Sequence, residues 1–512
     1  MKLNKIKQLS IGLATILLVN GCNSLDISNL WNYDADLVWN DDNLATAYVT
    51  DLYGDIFSGW STSADNTAEQ QTGIPFMLST ITTSGSGYKR WNYTNIRNIN
   101  LGLEYLAEGG CTESVKNSLT GQMLFMRAYQ YGEMVVYHGG MPYITKAQDK
   151  DEDDLYVTRT STAECFDLII KIINDLDDAI ALLPAKATGN DYGRIDQCFA
   201  KAYKAKMLLY KASPQFNPSN MYDNKYWNEA YTAAKEAYDF CIAQGIKLTA
   251  NYADNWLVDG NSEVVFPIIY SNPDKTANWE NTIRPSSLSR SNAGNTPTWD
   301  MVKAFPMLDG KRFDDPAGKY YAGAESDFLQ KFWQNRDPRF EDCILYNADL
   351  YPVSGTASGY RQYTSVGIAV REDSYGINPN VGSTATQNDA ISGMYVRKGS
   401  DLSLSQDLVS TYDHDYPFMR LAEVMFIYAE AANETDHQDV AVDMLKQIRK
   451  RAGIEAGENG LYGLKVANRE EIRQAILDER NVELCFEGHR FMDLRRTRNM
   501  MQLNGLQKYG IV

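Results

Sequence analysis

Seven side chains in one stretch near the C-terminus carry the groups of acid–base catalysis: Glu479, Arg480, Glu483, Glu487, His489, Arg490 and Asp493. Paired carboxylates and an imidazole can pass a proton to a leaving group and take one back. The same residues also sit at helical spacings, where carboxylates and guanidiniums pair across turns. Such pairing needs no substrate, and the stretch is read as structural. A second chemistry comes from tryptophans in polar surroundings: Trp60 in GWSTSADN and Trp279 in TANWENT. A sugar ring lays its axial C–H face on an indole, while its hydroxyls seek Asn, Asp and Arg. Trp60 with Asn66, and Trp279 with Asn278, Asn281 and Arg284, therefore form the expected ligand platform. Tyr88 and Arg90 (GSGYKR) make a third group. Trp91, Trp256 and Trp299 are expected to pack in the core. The 33 tyrosines suit a protein that binds ligands by stacking and hydrogen bonding.

Other chemistries lack their residues. The net charge of -17 argues against nucleic acid, which needs clustered Lys and Arg. The acidic run Asp149 to Asp154 lacks the ligand spacing and glycine of an EF-hand and reads as a solvated loop. No GxxxxGK[ST], GxSxG or HExxH occurs, so NTPase, α/β-hydrolase and zincin readings are unsupported. Beyond Cys22 the cysteines are Cys111, Cys165, Cys198, Cys241, Cys343 and Cys485, none in CxxC. Neither a zinc site nor a disulfide framework is expected, and no cofactor.

The elements that must position these groups are mostly helical. Val115, Leu119, Met123 and Met126 mark one face of a helix that stops at Gly139-Gly140. Ser161 and Glu164 form a capping box before the stripe Phe166, Ile169, Ile170, Ile173, Leu176, Ile180 and Leu183. Helices follow over about 195–212 and about 227–245, with small residues beside large ones. Late in the chain come Pro417 to Asn433, about 440–452, and a helix capped by Asn468. This alternation suits stacked tetratricopeptide-like hairpins with divergent repeats. Between residues 246 and 416 the character changes. Val264 to Tyr270 reads as a strand, and the rest is rich in Gly, Ser, Asn and Tyr. Loops of this kind on a rigid frame carry ligand contacts. The expected fold is mostly α, a helical-repeat scaffold with a loop-rich, short-strand insertion as its ligand face. Its parts are 22–245 helical, 246–416 loop-rich and 417–512 helical.

At the N-terminus, Lys2, Lys5 and Lys7 precede an eleven-residue apolar run, Leu9 to Val19, and then Asn20-Gly21-Cys22. The run is too short to span a bilayer and suits a signal peptide over residues 1–21. A cysteine at this point is expected to be lipidated and to anchor the mature chain.

Several segments resemble the SusD/RagB family of surface nutrient-binding lipoproteins of Bacteroidota. The closest is Ala475 to Arg496, AILDERNVELCFEGHRFMDLRR. Tyr416 to Glu434, Leu445 to Ile454, Arg127 to Tyr143, FPMLDG at 305–310, NRDPR at 335–339 and Trp91 to Asn100 follow the family's order. Family chains continue further past the DLRR motif than the 16 residues found here, so a short or truncated last segment is expected. The resemblance implies a scaffold role for the C-terminal motif and four tetratricopeptide-like units. It also implies non-catalytic binding of an oligo- or polysaccharide, outer-membrane attachment facing the cell exterior, and a TonB-dependent SusC-like transporter as partner. The alternative it leaves open is a peptide-binding subunit of a RagAB-like importer.

Overall fold

The computed structural model describes residues 35–60, 69–71, 90–291, 295–364, 381–383, 392–506 and 509. The leader, Cys22, Asn66 and Tyr88 lie outside the described residues. Among the described residues, nine long helices make the frame: α1 Asp42–Ile56, α2 Tyr93–Glu108, α3 Glu113–His138, α4 Cys165–Leu182, α5 Gln197–Ala212, α6 Tyr226–Ala243, α7 Leu421–Glu434, α8 Gln438–Ala452 and α9 Arg469–Glu483. Pairs α3/α4, α5/α6 and α7/α8 pack side by side, and α6 lies against α7. No helix among the described residues is long and apolar enough to cross a membrane.

Local sequence explains where these helices begin and which face they bury. The capping box of Ser161 and Glu164 forms as read, and it opens a short 3-10 turn that runs into α4. The buried face of α4 is Cys165, Leu168, Ile169, Ile172, Ile173, Leu176 and Ala179. Ile170, expected inside, faces solvent instead, because Ile172 and Ile173 already complete the stripe. Asn468 caps α9 by accepting from the Glu471 N–H at 3.0 Å. Gly132 lets α3 approach α5: a Cβ there would lie 2.3 Å from the Tyr203 hydroxyl.

The stretch from Pro417 was expected to be helical throughout. Its first residues are a strand instead. Pro417 has no N–H to offer a helix, and Phe418 packs among Phe57, Phe199 and Phe266. The strands are β1 Val264–Ile268, β2 Ile344–Leu345, β3 Asp349–Leu350, β4 Arg361–Tyr363, β5 Val381–Ser383, β6 Tyr395–Val396 and β7 Tyr416–Arg420. β1 and β7 pair antiparallel, with Val264 opposite Arg420 and Ile268 opposite Tyr416. β2 pairs β6, and β3-β4-β5 form a small mixed sheet. Helix α7 starts only after this neck. All of its residues are buried, as befits a helix wrapped by neighbours on every side.

Among the described residues three apolar clusters result, a small one around Leu345, Tyr351 and Tyr395 and two large ones. Of the large ones, one fills the helical body and includes β1 and β7. The other fills the insertion around Trp256, Trp279, Trp299, Phe305 and Phe340, and it takes in Val482, Cys485 and Phe486 from the end of α9. Between them lies a buried ionic hub. Glu483 accepts from Arg339 at 2.7 Å, from Arg420 at 2.6 Å, and from Arg451. Arg420 also bonds Glu263 at 2.8 Å and Glu487 at 2.8 Å. Arg339 reaches Asp337 and Glu479, and Arg449 reaches Glu479. Lys398 bonds Glu487 at 2.6 Å. Arg339, Arg420, Arg449, Arg451 and Lys398 thus face Asp337, Glu263, Glu479, Glu483 and Glu487, so the charges cancel. Burial alone would raise the Glu483 carboxyl. Arg451, Arg420 and Arg339 outweigh it and hold the group well below the usual range. Glu479, Glu483 and Glu487 of the C-terminal motif are occupied in this way, while Arg480 pairs with Asp493 and Arg490 with Glu69, as in a structural motif.

Candidate functional site

The insertion carries a cleft of about 1280 Å³. That exceeds the roughly 300–1,000 Å³ of pockets for single small ligands and suits an extended one. Its walls come from short elements. Trp299, Asp300 and Lys303 sit on the helix Trp299–Ala304, whose N-cap Thr298 accepts from the Met301 N–H at 3.1 Å. Glu325 opens the helix Glu325–Leu329. Trp333 follows in the next turn. Tyr346, Asn347 and Ala348 join β2 to β3, Arg361 starts β4, and Tyr509 closes one side.

Two rings reach solvent here, Trp333, 39% exposed, and Tyr509, 56% exposed. Tyr346 backs Trp333 at 6.2 Å, nearly parallel. The adjacent Phe332 points inward and meets Trp299 edge-on at 5.5 Å. Trp299 is buried, as expected of a packing residue, and its Nε1 donates to Glu325 at 2.6 Å. Lys303 lies between Asp300 at 3.1 Å and Glu325 at 3.2 Å. Partial burial works against the ammonium charge, but the two carboxylates more than offset this and raise its pKa. Glu325 is held below the usual range: burial opposes its charge, but Trp299 and Lys303 favour it more strongly. Ala348 adopts a left-handed φ of 64°. For a residue with a Cβ this costs on the order of 1–3 kcal/mol and persists where the surroundings impose it.

The NRDPR stretch sets the two walls. Arg336 is buried and donates to the carbonyls of Val302 at 2.6 Å, Phe305 at 2.8 Å and Phe332 at 2.5 Å. It therefore ties the end of the Trp299 helix to the turn that presents Trp333. Burial pushes its guanidinium down to about 9. Gly310, which ends FPMLDG, has φ 78°, and a Cβ there would lie 2.0 Å from the Tyr462 carbonyl.

The residues expected to form the platform do meet, but in the interior. Trp60 and Trp279 lie 4.9 Å apart. Trp279 is buried, its Nε1 bonded to the Lys398 carbonyl at 2.9 Å. Trp60 is half-buried between Tyr412 and Tyr416, and its Nε1 donates to the His414 carbonyl at 2.8 Å. Arg284 is fully buried and pairs with Glu280 and the Leu404 carbonyl. Asn281 is buried and bonds Asn278, which is exposed. Trp279, Asn281 and Arg284 are therefore framework: the Lys398 and Leu404 carbonyls reach Trp279 and Arg284 from far along the chain, and Asn281 is held within its own segment. Arg90 lies elsewhere, beside Tyr137. Trp256 is buried, as expected. The sequence reading missed Trp333 and Tyr346. Their signal was the Phe332-Trp333 pair: in such a pair one ring turns inward and the other outward.

Below Trp60, Asp259 lies 3.7 Å from one nitrogen of His414 and Asp401 lies 3.2 Å from the other. Together they push its pKa up to about 10. A raised cationic pKa stabilises the fold fully below about pH 6.5 and stops doing so as pH climbs through the folded value. The thermal midpoint of His414→Ala should therefore fall short of wild type at about pH 7, and the gap should narrow toward pH 10. A gap constant over that range would show the clamp to be uncharged.

Similarity to known proteins follows this architecture. Residues 262–511 match the family model described as the SusD family, and residues 27–209 match one described as starch-binding, associating with outer membrane. SusD-like protein P2 of Formosa agariphila is 35% identical over 396 residues, covering 75% of this chain and 66% of that protein. A SusD-like protein from Bacteroides fragilis superposes with a TM-score of 0.71 at 24% identity, over 92% of this chain and 88% of that one. A laminarin-binding SusD-like protein superposes with a TM-score of 0.60 at 20% identity, over 91% and 93%. The helical frame, the C-terminal motif and both family models agree, and the chain belongs to the SusD/RagB family.

Proposed function

We propose that this protein binds an oligo- or polysaccharide in the cleft of Trp333 and Tyr346 and leaves it chemically unchanged. The observation that carries the reading is an exposed indole, backed by a second ring, in a long cleft with Asp300, Lys303, Glu325, Asn347 and Arg361 at hand. Ring faces take the C–H face of a sugar, and the polar groups take its hydroxyls. A laminarin-binding SusD-like protein shares the fold, which supports the choice of ligand class. Hydrolysis is a poor fit. A general acid needs a raised pKa, whereas Glu325 is held low and Lys303 lies between the two carboxylates.

The protein is further proposed to be anchored through Cys22 to the outer membrane, facing outward, and to pass its ligand to a SusC-like TonB-dependent transporter. Family membership and the Asn20-Gly21-Cys22 sequence support this. A panel of plant, host and microbial glycans in native affinity gels tests the central claim. Retardation by at least one glycan, with no new reducing ends after long incubation, is the expected result. Binding to peptides and to no glycan would move the protein to the peptide-importing alternative.

A further inference from the structure

A second surface carries chemistry that the cleft does not use. It lies where α2 begins, where α3 ends and where the C-terminal motif passes. Trp91 was expected in the core but is 45% exposed. Its indole lies parallel to the His138 imidazole, with centroids 4.4 Å apart. The Arg90 N–H donates to His138 Nε2 at 3.0 Å, so this imidazole accepts there and is neutral. Beside it, the Tyr137 ring meets two guanidiniums, Arg90 at 4.9 Å and Arg495 at 5.7 Å. Exposed Arg159 donates to the carbonyls of Gly140 at 2.6 Å and His138. Arg495 donates to the Tyr137 carbonyl at 3.1 Å.

Arg159 and Arg495 have no carboxylate partner among the described residues; their hydrogen bonds to oxygen go to carbonyls. Glu133, half-buried, acts on Arg90 and also faces Lys206. Positive charge therefore accumulates at one place in a chain of net charge -17. Clustered like charges repel, and they draw an anion when one is available. Guanidiniums bind carboxylate and sulfate through paired N–H groups, which an ammonium cannot do.

We propose that Trp91 with Arg90, Arg159 and Arg495 is a second ligand site for an anionic sugar, a hexuronate or a sulfated residue. The sugar ring stacks on the indole, and its acid group meets the guanidiniums. This surface shares no residue with the cleft, so the proposal does not depend on the cleft being a glycan site.

The test is isothermal titration of the full chain with a hexuronate trisaccharide and with the neutral trisaccharide made by reducing its carboxyls. The acidic trimer should bind at least about fivefold more tightly than the neutral one, and the preference should shrink as salt rises from about 50 to about 300 mM. Trp91→Ala should weaken acidic-trimer binding about fivefold. Arg159→Gln should weaken it too. Because Arg159 also holds two carbonyls, the surface variant Trp91→Ala is the deciding one. Equal affinity for both trimers, or unchanged binding by Trp91→Ala, would overturn the proposal. So would binding confined to vesicles of anionic phospholipid with none to the trimer.

Discussion

Glu483→Ala should cost about 3–5 kcal/mol of stability, the loss expected when one partner of a buried ion pair is removed. Glu483 is fully buried and takes hydrogen bonds from three arginines that come from three parts of the chain. Its removal leaves five cations facing four carboxylates, with one positive charge sealed from water. Glu483→Gln keeps the volume but not the charge and should lose most of the same stability. Urea unfolding followed by circular dichroism measures this as a lower midpoint with an unchanged slope. The pH dependence has a definite sign. Burial raises the Glu487 carboxyl, but Arg420 and Lys398 more than reverse this and bring it down to about 2. A depressed carboxylate pKa contributes stability above its unfolded value of about 4.3 and loses it as pH falls through the folded one. Wild type should therefore lose stability between about pH 4.3 and pH 2, and Glu483→Ala should lose less over the same window. A variant with the wild-type midpoint would show that the hub sets register without setting stability.

Trp333→Ala should lower affinity for whichever glycan retards the wild type by about tenfold or more, about 1.4 kcal/mol. The ring is partly exposed and backed by Tyr346, so it can offer a face without rearrangement. Phe332 holds the turn from inside, and Arg336 holds its carbonyl, so the fold should survive the change. Trp299→Ala makes a contrast. That ring is buried and fixes Glu325, so its loss should harm folding and binding together. Calorimetric titration beside a melting curve separates the two. Unchanged affinity in a folded Trp333→Ala would remove the cleft from consideration.

Much of the frame was legible because helices advertise themselves locally. Asn468 with Glu471, and Ser161 with Glu164, name two helix starts from a few residues each. The strand β7 was not legible, since its partner β1 lies about 150 residues earlier and their pairing makes Pro417 to Arg420 extended. The site was harder still. Trp279 sits in a polar run and reads as exposed, yet Trp60 and the Lys398 carbonyl bury it from far along the chain. Trp333 was hidden the other way, two residues before a stretch read as a family motif. Side-chain exposure is a property of tertiary neighbours, and a sequence window does not contain them.

The neck formed by β1 and β7 brings both ends of the segment between them to one antiparallel rung, Ile268 opposite Tyr416. A segment that leaves and re-enters a frame at one point can be lengthened or exchanged at little cost, about 0.6 kcal/mol for each doubling of a flexible loop. The binding face can therefore diversify as a cassette while the helices stay fixed. The ionic hub limits that freedom, because Arg339 and Lys398 belong to the insertion and answer Glu479, Glu483 and Glu487 on the frame. A graft from a relative should be accepted when it brings those two cations and rejected when it lacks them.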